Sequence, residues 1–341
     1  MERHVLHHNG TFTFEAGGSV ESPDIVYYTS EGPYTPGRKV VWVCHALTGN
    51  ADPSDWWSGF VGPGKPIDTD RFFVVCASMI GSAYGEFGPA TVNPATGRPW
   101  LLDFPKVTVR DIVKADILVR KALGIEKIDL MLGPSIGGFQ TVEWLVTEPE
   151  VIREAVLLAT DFRATPYLTA FNESQRMALL ADRTFKEAKD IHGGEEGLKC
   201  ARSIALISYR SVDGYGTTQQ DPDPDTMFAE RAASYQRYQG EKLVRRFFDA
   251  YSYWYLATAL DSMNVGRGRG GCEAALGTVK ARCTVITITS DQLFTVARGK
   301  MMAAAIPGCE YYEISSIYGH DGFFIENDQL TAIIAPVLQR L

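Results

Sequence analysis

Residues 128–138 read Ile-Asp-Leu-Met-Leu-Gly-Pro-Ser-Ile-Gly-Gly, an apolar run that ends in Gly-Pro-Ser-Ile-Gly and passes directly into a helical pattern. A strand, a sharp turn and a helix form the context that a G-x-S-x-G nucleophile elbow requires. Gly133 and Gly137 supply the small residues that this turn needs on both sides of the serine. A bare G-x-S-x-G also arises by chance in structural turns. The strand and helix around it favour Ser135 as a catalytic nucleophile.

The composition of the 341-residue chain is that of an ordinary globular protein, with 45% hydrophobic and 22% charged residues. The length allows one large α/β domain with an insertion, or two smaller domains. A net charge of −8 without a basic tail does not suggest nucleic-acid binding, so an anionic ligand would need a local basic pocket.

The chain shows no targeting or redox motif. The first eight residues contain no apolar segment typical of a signal peptide, and no run approaches the ~18 apolar residues of a membrane span. The six cysteines are scattered without a C-x-x-C motif, which indicates reduced thiols in a cytoplasmic protein. No cluster of potential ligands has metal spacing, so we expect no metal. We also expect no bound cofactor.

Apolar runs alternate with helical patterns over most of the chain, which is typical of a mainly parallel sheet covered on both faces. The first two strands are too close in sequence for a crossover, so we expect them to be antiparallel. His4, His7 and His8 are assigned to a mobile terminus, and Asn327 is expected to cap a closing helix. Strands are predicted at residues 11–14, 24–28, 39–44, 72–76, 128–132, 155–159, 284–289 and 311–314.

The alternation stops between about residues 165 and 275, where the pattern is helical and rich in aromatic residues. We predict a core domain of residues 1–165 and 276–341, with an inserted helical lid of residues 166–275. Gly266-Arg-Gly-Arg-Gly-Gly271 follows a helix instead of a strand, so it predicts a hinge with a basic surface and not a dinucleotide site. Lid helices are predicted at residues 173–190, 196–208, 225–238 and 241–262, with breaks at 193–194, 221–225 and 240.

A serine hydroxyl needs a base, and the base needs a group that orients it. In the elbow fold these partners follow in the order serine, acid, histidine. Asp291 comes just after one predicted strand and His320 just after the next. Either could be an ordinary loop residue, but their joint placement predicts a Ser135–His320–Asp291 triad. His45 also ends a strand, yet it precedes the elbow in the chain.

The loop that contains His45 is expected to help form an oxyanion hole. In the elbow fold one donor is the N–H of the residue after the nucleophile, and the other comes from a loop after an early strand. We therefore assign the N–H groups of Ile136 and Leu47 to this role.

Further motifs resemble those of the homoserine O-acetyltransferase family, and generic esterases lack most of them. The resemblance spans roughly residues 24–325. Its motifs are His45-Ala-Leu-Thr-Gly49, Asp55-Trp-Trp57, Gly62-Pro-Gly64, Gly85-Glu-Phe-Gly-Pro89, Asn93-Pro-Ala-Thr-Gly97, Phe104-Pro105, Thr108-Val-Arg-Asp-Ile112, Ser208-Tyr-Arg210 and Tyr318-Gly-His-Asp321.

The resemblance implies an α/β-hydrolase fold with a helical lid, and a homodimer formed through that lid. It implies transfer of an acetyl group from acetyl-CoA, as co-substrate, to the hydroxyl of L-homoserine in methionine biosynthesis. The reaction would be ping-pong, through an acyl-Ser135 intermediate. Arg202 and Tyr209 match residues placed near the amino-acid carboxylate, and Asp321 matches the residue that takes the amino group.

Two departures from the family pattern are expected to alter the shape of the acyl pocket. Pro134 and Ile136 flank the nucleophile where the family usually has Gly-Gly-Ser-Met-Gly-Gly, and residues 293–298 lack the usual prolines. The sequence therefore leaves open a homoserine O-succinyltransferase or serine O-acyltransferase of the same family. It is also compatible with a serine esterase and with a non-catalytic ligand-binding relative of the same fold.

Overall fold

The structure is a computed structural model, and it describes residues 1–85, 87–246 and 248–341. Glu86, in the motif 85–89, and Phe247, among the lid aromatics, lie outside the described residues. The strands are β1 (Glu2–His7), β2 (Thr11–Thr13), β3 (Ser19–Glu21), β4 (Asp24–Thr29), β5 (Val40–Val43), β6 (Phe73–Ala77), β7 (Val92–Asn93), β8 (Arg98–Pro99), β9 (Ile128–Pro134), β10 (Ile152–Leu158), β11 (Arg282–Ile288) and β12 (Glu310–Ile314).

The helices lie between these strands and cover the sheet. They are α1 (Pro53–Trp56), α2 (Val109–Ala122), α3 (Ile136–Thr147), α4 (Pro166–Ala181), α5 (Thr184–Glu187), α6 (Glu195–Tyr209), α7 (Val212–Thr218), α8 (Arg231–Arg245), α9 (Ala250–Asp261), α10 (Cys272–Leu276), α11 (Val296–Ala305), α12 (Gly322–Ile325) and α13 (Asn327–Gln339). Short 3-10 helices span Leu101–Asp103 and Gly319–Asp321.

The central sheet has eight strands in the order β1-β4-β6-β5-β9-β10-β11-β12. In this order, the last six strands, which begin with β6 and end with β12, are parallel to one another. β4 is antiparallel to both of its neighbours, β1 and β6. Every residue of β5, β6 and β9 is buried, because helices cover both faces of the sheet. The predicted α/β-hydrolase fold with a mainly parallel sheet is confirmed.

The first two predicted strands are present as β2 and β4, but the predictions of a mobile terminus and of pairing between these two strands are wrong. The expected mobile terminus is β1, an edge strand paired with β4, in which the His4 ring stacks on Tyr27 with 5.1 Å between centroids. The first two predicted strands do not pair with each other. β2 pairs with β3 because the turn at Gly17 and Gly18, both with positive φ, closes a hairpin before β4 begins.

The predicted cap of the closing helix is wrong by one residue. Asn327 is the first residue of α13, and Glu326 occupies the capping position.

The helices α4 to α9 lie between β10 and β11, and their boundaries differ from the prediction. The break expected at Gly240 does not occur, since α8 continues through it. A Cβ at Gly240 would lie 2.6 Å from the backbone oxygen of Lys199, so this glycine is needed where α8 crosses α6. Instead, α8 ends at Arg245 and α9 begins at Ala250, and the breaks predicted at 193–194 and 221–225 are confirmed.

The glycine-rich segment 266–271 does not present the basic surface predicted for it. Arg269 forms two hydrogen bonds to Glu143, a buried carboxylate on α3. Arg267 forms two hydrogen bonds to Glu15, at 2.8 and 3.0 Å. Both arginines therefore tie this connection to the rest of the structure by bidentate ion pairs.

Candidate active site

The turn between β9 and α3 holds Ser135 in a strained backbone conformation, with φ 60° and ψ −125°. Non-glycine residues rarely adopt positive φ, and such strain is concentrated at functional sites. A Cβ at Gly137 would collide with the carbonyl oxygen of Cys44 at the end of β5, and a Cβ at Gly133 would collide with Gly137. The elbow predicted from the spacing of the glycines is present.

Pro134 is the last residue of β9, and the N–H that it lacks would face β5. The N–H of Cys44 donates to the Leu132 carbonyl on the β5 side of β9, whereas the Ser135 N–H donates to Leu158 of β10 on the other side. Alternation along the strand directs residue 134 toward β5, and the register of β5 ends opposite Leu132. Proline therefore ends the ladder with β5 at this position, while the hydrogen bond from Ser135 to β10 is kept.

Asp291 and His320 are brought together after the ends of β11 and β12. The His320 Nδ1 lies 2.7 Å from Asp291 Oδ2, and both side chains are almost fully buried. The other carboxylate oxygen, Oδ1, accepts hydrogen bonds from the N–H groups of Leu293 and Phe294 at 2.8 and 3.0 Å. His320 and Ser135 line one cavity. The geometry has the parts of a serine triad, whose catalytic roles stay predictions.

Two backbone N–H groups beside Ser135 are available to an anionic oxygen. Within the described parts of the chain, neither the Leu47 N–H nor the Ile136 N–H donates a hydrogen bond to another residue. The Ile136 N–H is in the first turn of α3, where helix geometry leaves N–H groups free. This arrangement supports the oxyanion hole, which stays a prediction.

His45 has a structural place beside the oxyanion loop. Its Nδ1 donates to the Ala46 carbonyl at 2.9 Å, and its Nε2 accepts the Met79 N–H at 3.0 Å. Full burial lowers the pKa of His45 to about 4. A neutral ring with both nitrogens occupied cannot serve as the general base, in agreement with the assignment of that role to His320.

We expect His45 to make the fold sensitive to acid. Below pH 6.5 the unfolded chain protonates this histidine, but the folded chain does not until about pH 4, so stability is lost across that window as pH falls. The loss in unfolding free energy should approach about 3 kcal/mol, from the 1.36 kcal/mol that one pKa unit represents. Urea unfolding at pH 7 and pH 4.5 should show a smaller pH effect in His45→Gln than in the parent chain. Equal pH effects would contradict this assignment.

Ser135 and His320 lie at the wall of an outer cavity of about 480 Å³, and all three residues predicted to bind substrate line it. The Arg202 guanidinium lies 5.6 Å from the centre of the Tyr209 ring. Among the described residues, no carboxylate lies within ion-pair distance of Arg202. The cavity therefore contains a cation without a protein counter-ion, as an anionic substrate group requires.

Asp321 differs from Arg202 in having an ion-pair partner. Its Oδ2 lies 2.8 Å from Arg210 Nε, although the N–H is not aligned for a hydrogen bond. Burial raises the pKa of Asp321, and the nearby Arg210 and His320 oppose that rise. Burial also raises the pKa of Tyr209, which keeps its phenol neutral. The predicted binding residues thus place a cation, an anion and a phenol in one cavity.

A small inner cavity also reaches the nucleophile, and its walls are mostly apolar. Ser135, Leu47 and Tyr209 line both cavities. Pro134 and Ile136 do not line either cavity. Their side chains therefore do not shape an acyl pocket by direct contact. Leu293 and Phe294 do line the inner cavity, and they belong to the segment 293–298 that lacks the prolines usual in the family.

Sequence reasoning assigned no role to several residues that line these cavities. Asn172 and Gln175 belong to the inner wall, and their side chains are held by Asp261 and Tyr253. Trp56, Phe324 and Arg246 belong to the outer wall. The motif Asp55-Trp-Trp57 pointed to part of this wall, whereas no motif or spacing marked Arg246.

Neither a metal site nor a membrane span is found in the described residues. The histidine, cysteine and carboxylate side chains of residues 1–85, 87–246 and 248–341 form no group that could hold a metal ion. No helix in the same ranges is both long and apolar enough to cross a membrane.

Comparison with known proteins finds close similarity along almost the whole chain. A family profile described as the alpha/beta hydrolase fold matches residues 39–326. A homoserine O-acetyltransferase of Cyclobacterium marinum is 39% identical over 335 residues, covering 98% of this chain and 94% of the relative. The solved homoserine O-acetyltransferase of Bacillus anthracis has a TM-score of 0.89 at 23% identity, over 99% and 96% of the two chains. Esterase E22 has a TM-score of 0.88 at 21% identity over 99% of both chains, a likeness of fold alone.

Proposed function

Because the chain belongs to the homoserine O-acetyltransferase family within the alpha/beta hydrolase fold, we propose that it transfers an acetyl group from acetyl-CoA to the hydroxyl of L-homoserine. One observation carries the proposal. The nucleophile elbow and His320 share a cavity with Arg202, a cation without a protein counter-ion among the described residues, and with Asp321. An amino acid carries a carboxylate and an ammonium group, and these two side chains are their complements.

The proposed reaction has two steps. His320, oriented by Asp291, takes the proton of Ser135 as the hydroxyl attacks the thioester carbonyl. The Leu47 and Ile136 N–H groups stabilise the oxyanion, and the coenzyme A thiolate leaves with the proton from His320. The homoserine hydroxyl then loses its proton to His320 and attacks the acetyl-serine, which releases O-acetylhomoserine and returns the proton to Ser135. We place this transfer in methionine biosynthesis because the chain belongs to the homoserine O-acetyltransferase family.

The inner cavity favours an acetyl donor over a succinyl donor. Its walls carry no cationic side chain among the described residues, and the buried polar groups of Gln175 and Ser208 already bond within the protein. A second carboxylate placed there would lose its hydration without gaining a counter-ion. The cavity measures only about 10 Å³, roughly the space of one water molecule, which disfavours the longer succinyl chain further.

Water is the competitor of homoserine for the acetyl-serine, so a transferase must limit hydrolysis. We propose that the helices of residues 166–275 form the lid that does so, and that the lid also forms a homodimer. More than half of the large apolar side chains that are exposed among the described residues belong to this region, and they supply apolar surface for association. They are Tyr167, Met177, Leu180, Ile191, Ile207, Val212, Met227, Phe228 and Tyr238.

A thiol-release assay tests the function directly. It combines acetyl-CoA or succinyl-CoA with L-homoserine, with L-serine or with no acceptor. The proposal requires release from acetyl-CoA that depends on homoserine. Preference for succinyl-CoA or for serine would assign the chain another activity of the same family, and rapid release without an acceptor would make it a thioesterase. Absence of release under every condition, with no labelling by a serine-directed phosphonate, would favour a binding protein.

Arg202→Ala should reduce kcat/KM for homoserine by about 10-fold to 100-fold, because a charge-assisted contact to the carboxylate is lost. The effect should appear mainly as a higher KM for homoserine, at saturating acetyl-CoA. Arg183→Ala is the matched control, since its side chain is 86% exposed and remote from the cavity lining. An unchanged KM in Arg202→Ala would rule out this residue as the carboxylate partner.

A further inference from the structure

Arg246 occupies the exposed side of the outer cavity, opposite the core segment that contains Asp55. It follows the carboxyl end of α8, and its Nη2 lies 3.7 Å from Asp55 Oδ2. Both side chains are about half exposed, at 52% and 53%. An exposed ion pair of this kind contributes little stability, so the guanidinium is available to a competing anion.

The surroundings of Arg246 combine an apolar wall with a positive charge. Trp56, next to Asp55 in the chain, packs edge-on against Phe324 with 6.2 Å between ring centres, and both rings line the cavity. The Tyr84 hydroxyl donates to the Arg246 carbonyl at 3.1 Å, which holds this end of α8 against the core. Lys242, one helical turn earlier, is also exposed. The cavity thus leads from Ser135 along aromatic side chains to a cationic rim.

Taking the proposed acetyl-CoA-dependent function as its basis, we propose that Arg246 binds the phosphate groups of the coenzyme A donor. Coenzyme A consists of an uncharged, partly apolar arm that ends in the thioester and a nucleotide that bears several negative charges. The arm matches the wall of Trp56 and Phe324, and the phosphates match the guanidinium.

The charge of the whole chain makes a local cation necessary. The net charge of −8 opposes an anionic donor, and the negative pole of α8 points toward the same rim. Arg202, the other cation of this cavity lining, lies beside Tyr209 and is assigned to the acceptor. Arg246 is the lining cation that remains, among the described residues, for the phosphates, which would displace its contact with Asp55.

The experiment compares acetyl-CoA with S-acetylpantetheine, a donor that has the same thioester arm and no phosphate. The measured quantity is the ratio of kcat/KM for acetyl-CoA to kcat/KM for S-acetylpantetheine, at saturating homoserine. Arg246→Gln should lower this ratio about tenfold, because one charge-assisted contact to phosphate is lost. Arg183→Gln removes an exposed lid arginine elsewhere and should not change the ratio. Raising the salt concentration should lower the ratio in the parent enzyme more than in Arg246→Gln.

The outcomes separate this inference from the proposed function. A parent enzyme that transfers acetyl groups, together with an unchanged ratio in Arg246→Gln, overturns the phosphate role. Equal losses with both donors also overturn it, since they show that Arg246 only positions the lid. A parent enzyme that transfers from neither donor to homoserine overturns the proposed function instead.

Discussion

Ser135→Ala should lower the rate of acetyl transfer by about 10⁴-fold to 10⁶-fold while leaving the fold intact. The variant loses the oxygen that we propose to carry the acetyl group, so water or homoserine would have to attack the thioester directly. Alanine keeps the Cβ of serine, so the turn between β9 and α3 bears the same strain at φ 60°. Thiol release with acetyl-CoA and homoserine measures the loss.

Ser174→Ala is the matched control for Ser135→Ala, because Ser174 lies exposed on α4 and bonds only within its own helix among the described residues. Mass spectrometry after incubation with acetyl-CoA alone should find an acetylated peptide that contains residue 135 in the parent chain and not in Ser135→Ala. Transfer near the parent rate in Ser135→Ala would rule out the covalent route.

Asp291→Asn should lower kcat by about 10³-fold to 10⁴-fold, because it moves the proton of the neutral His320 ring from Nδ1 to Nε2. The single amide oxygen of asparagine would accept the N–H groups of Leu293 and Phe294, which now bond to Asp291 Oδ1. Its NH₂ group would then face His320 Nδ1, which lies 2.7 Å from Oδ2 in the parent chain. A nitrogen that must accept this N–H cannot carry a proton, so the proton moves to Nε2 and removes the base.

The loss in Asp291→Asn should lie in the chemical step and not in stability. Asparagine has nearly the shape of aspartate, and the hydrogen bonds to the two N–H groups are kept. Kinetics at several pH values and a urea unfolding curve, both compared with Asp223→Asn on an exposed loop, separate the two effects. A fall in kcat of less than about tenfold would mean that Asp291 does not orient the base.

The elbow and the order of the acid and histidine could be read from the sequence because each depends on local chemistry. The turn at Ser135 tolerates only glycine at positions 133 and 137, since the carbonyl of Cys44 approaches Gly137 and the backbone of Gly137 approaches Gly133. Parallel strands end at the same edge of the sheet, so residues just after β11 and β12 had to lie near each other.

The errors arose where a distant part of the chain decided the local structure. A glycine at position 240 suggests a helix break, but α8 continues through it. The glycine is there because the backbone of Lys199 lies too close for a larger residue. The segment with His4 looked like a free terminus, although the open edge of β4 binds it as a strand. Neither the crossing helix nor the open edge is visible in the segment itself.

The fold class, the family and the residues predicted to form the triad could be inferred without the structure, because strand periodicity, the elbow and the motifs are properties of short segments. The packing of distant segments was needed to show that Pro134 faces β5, and that two cavities meet at Ser135. It also decided that Arg246 faces Asp55 across the outer cavity. Segments far apart in the chain create these features, and their contacts depend on how helices pack on the sheet.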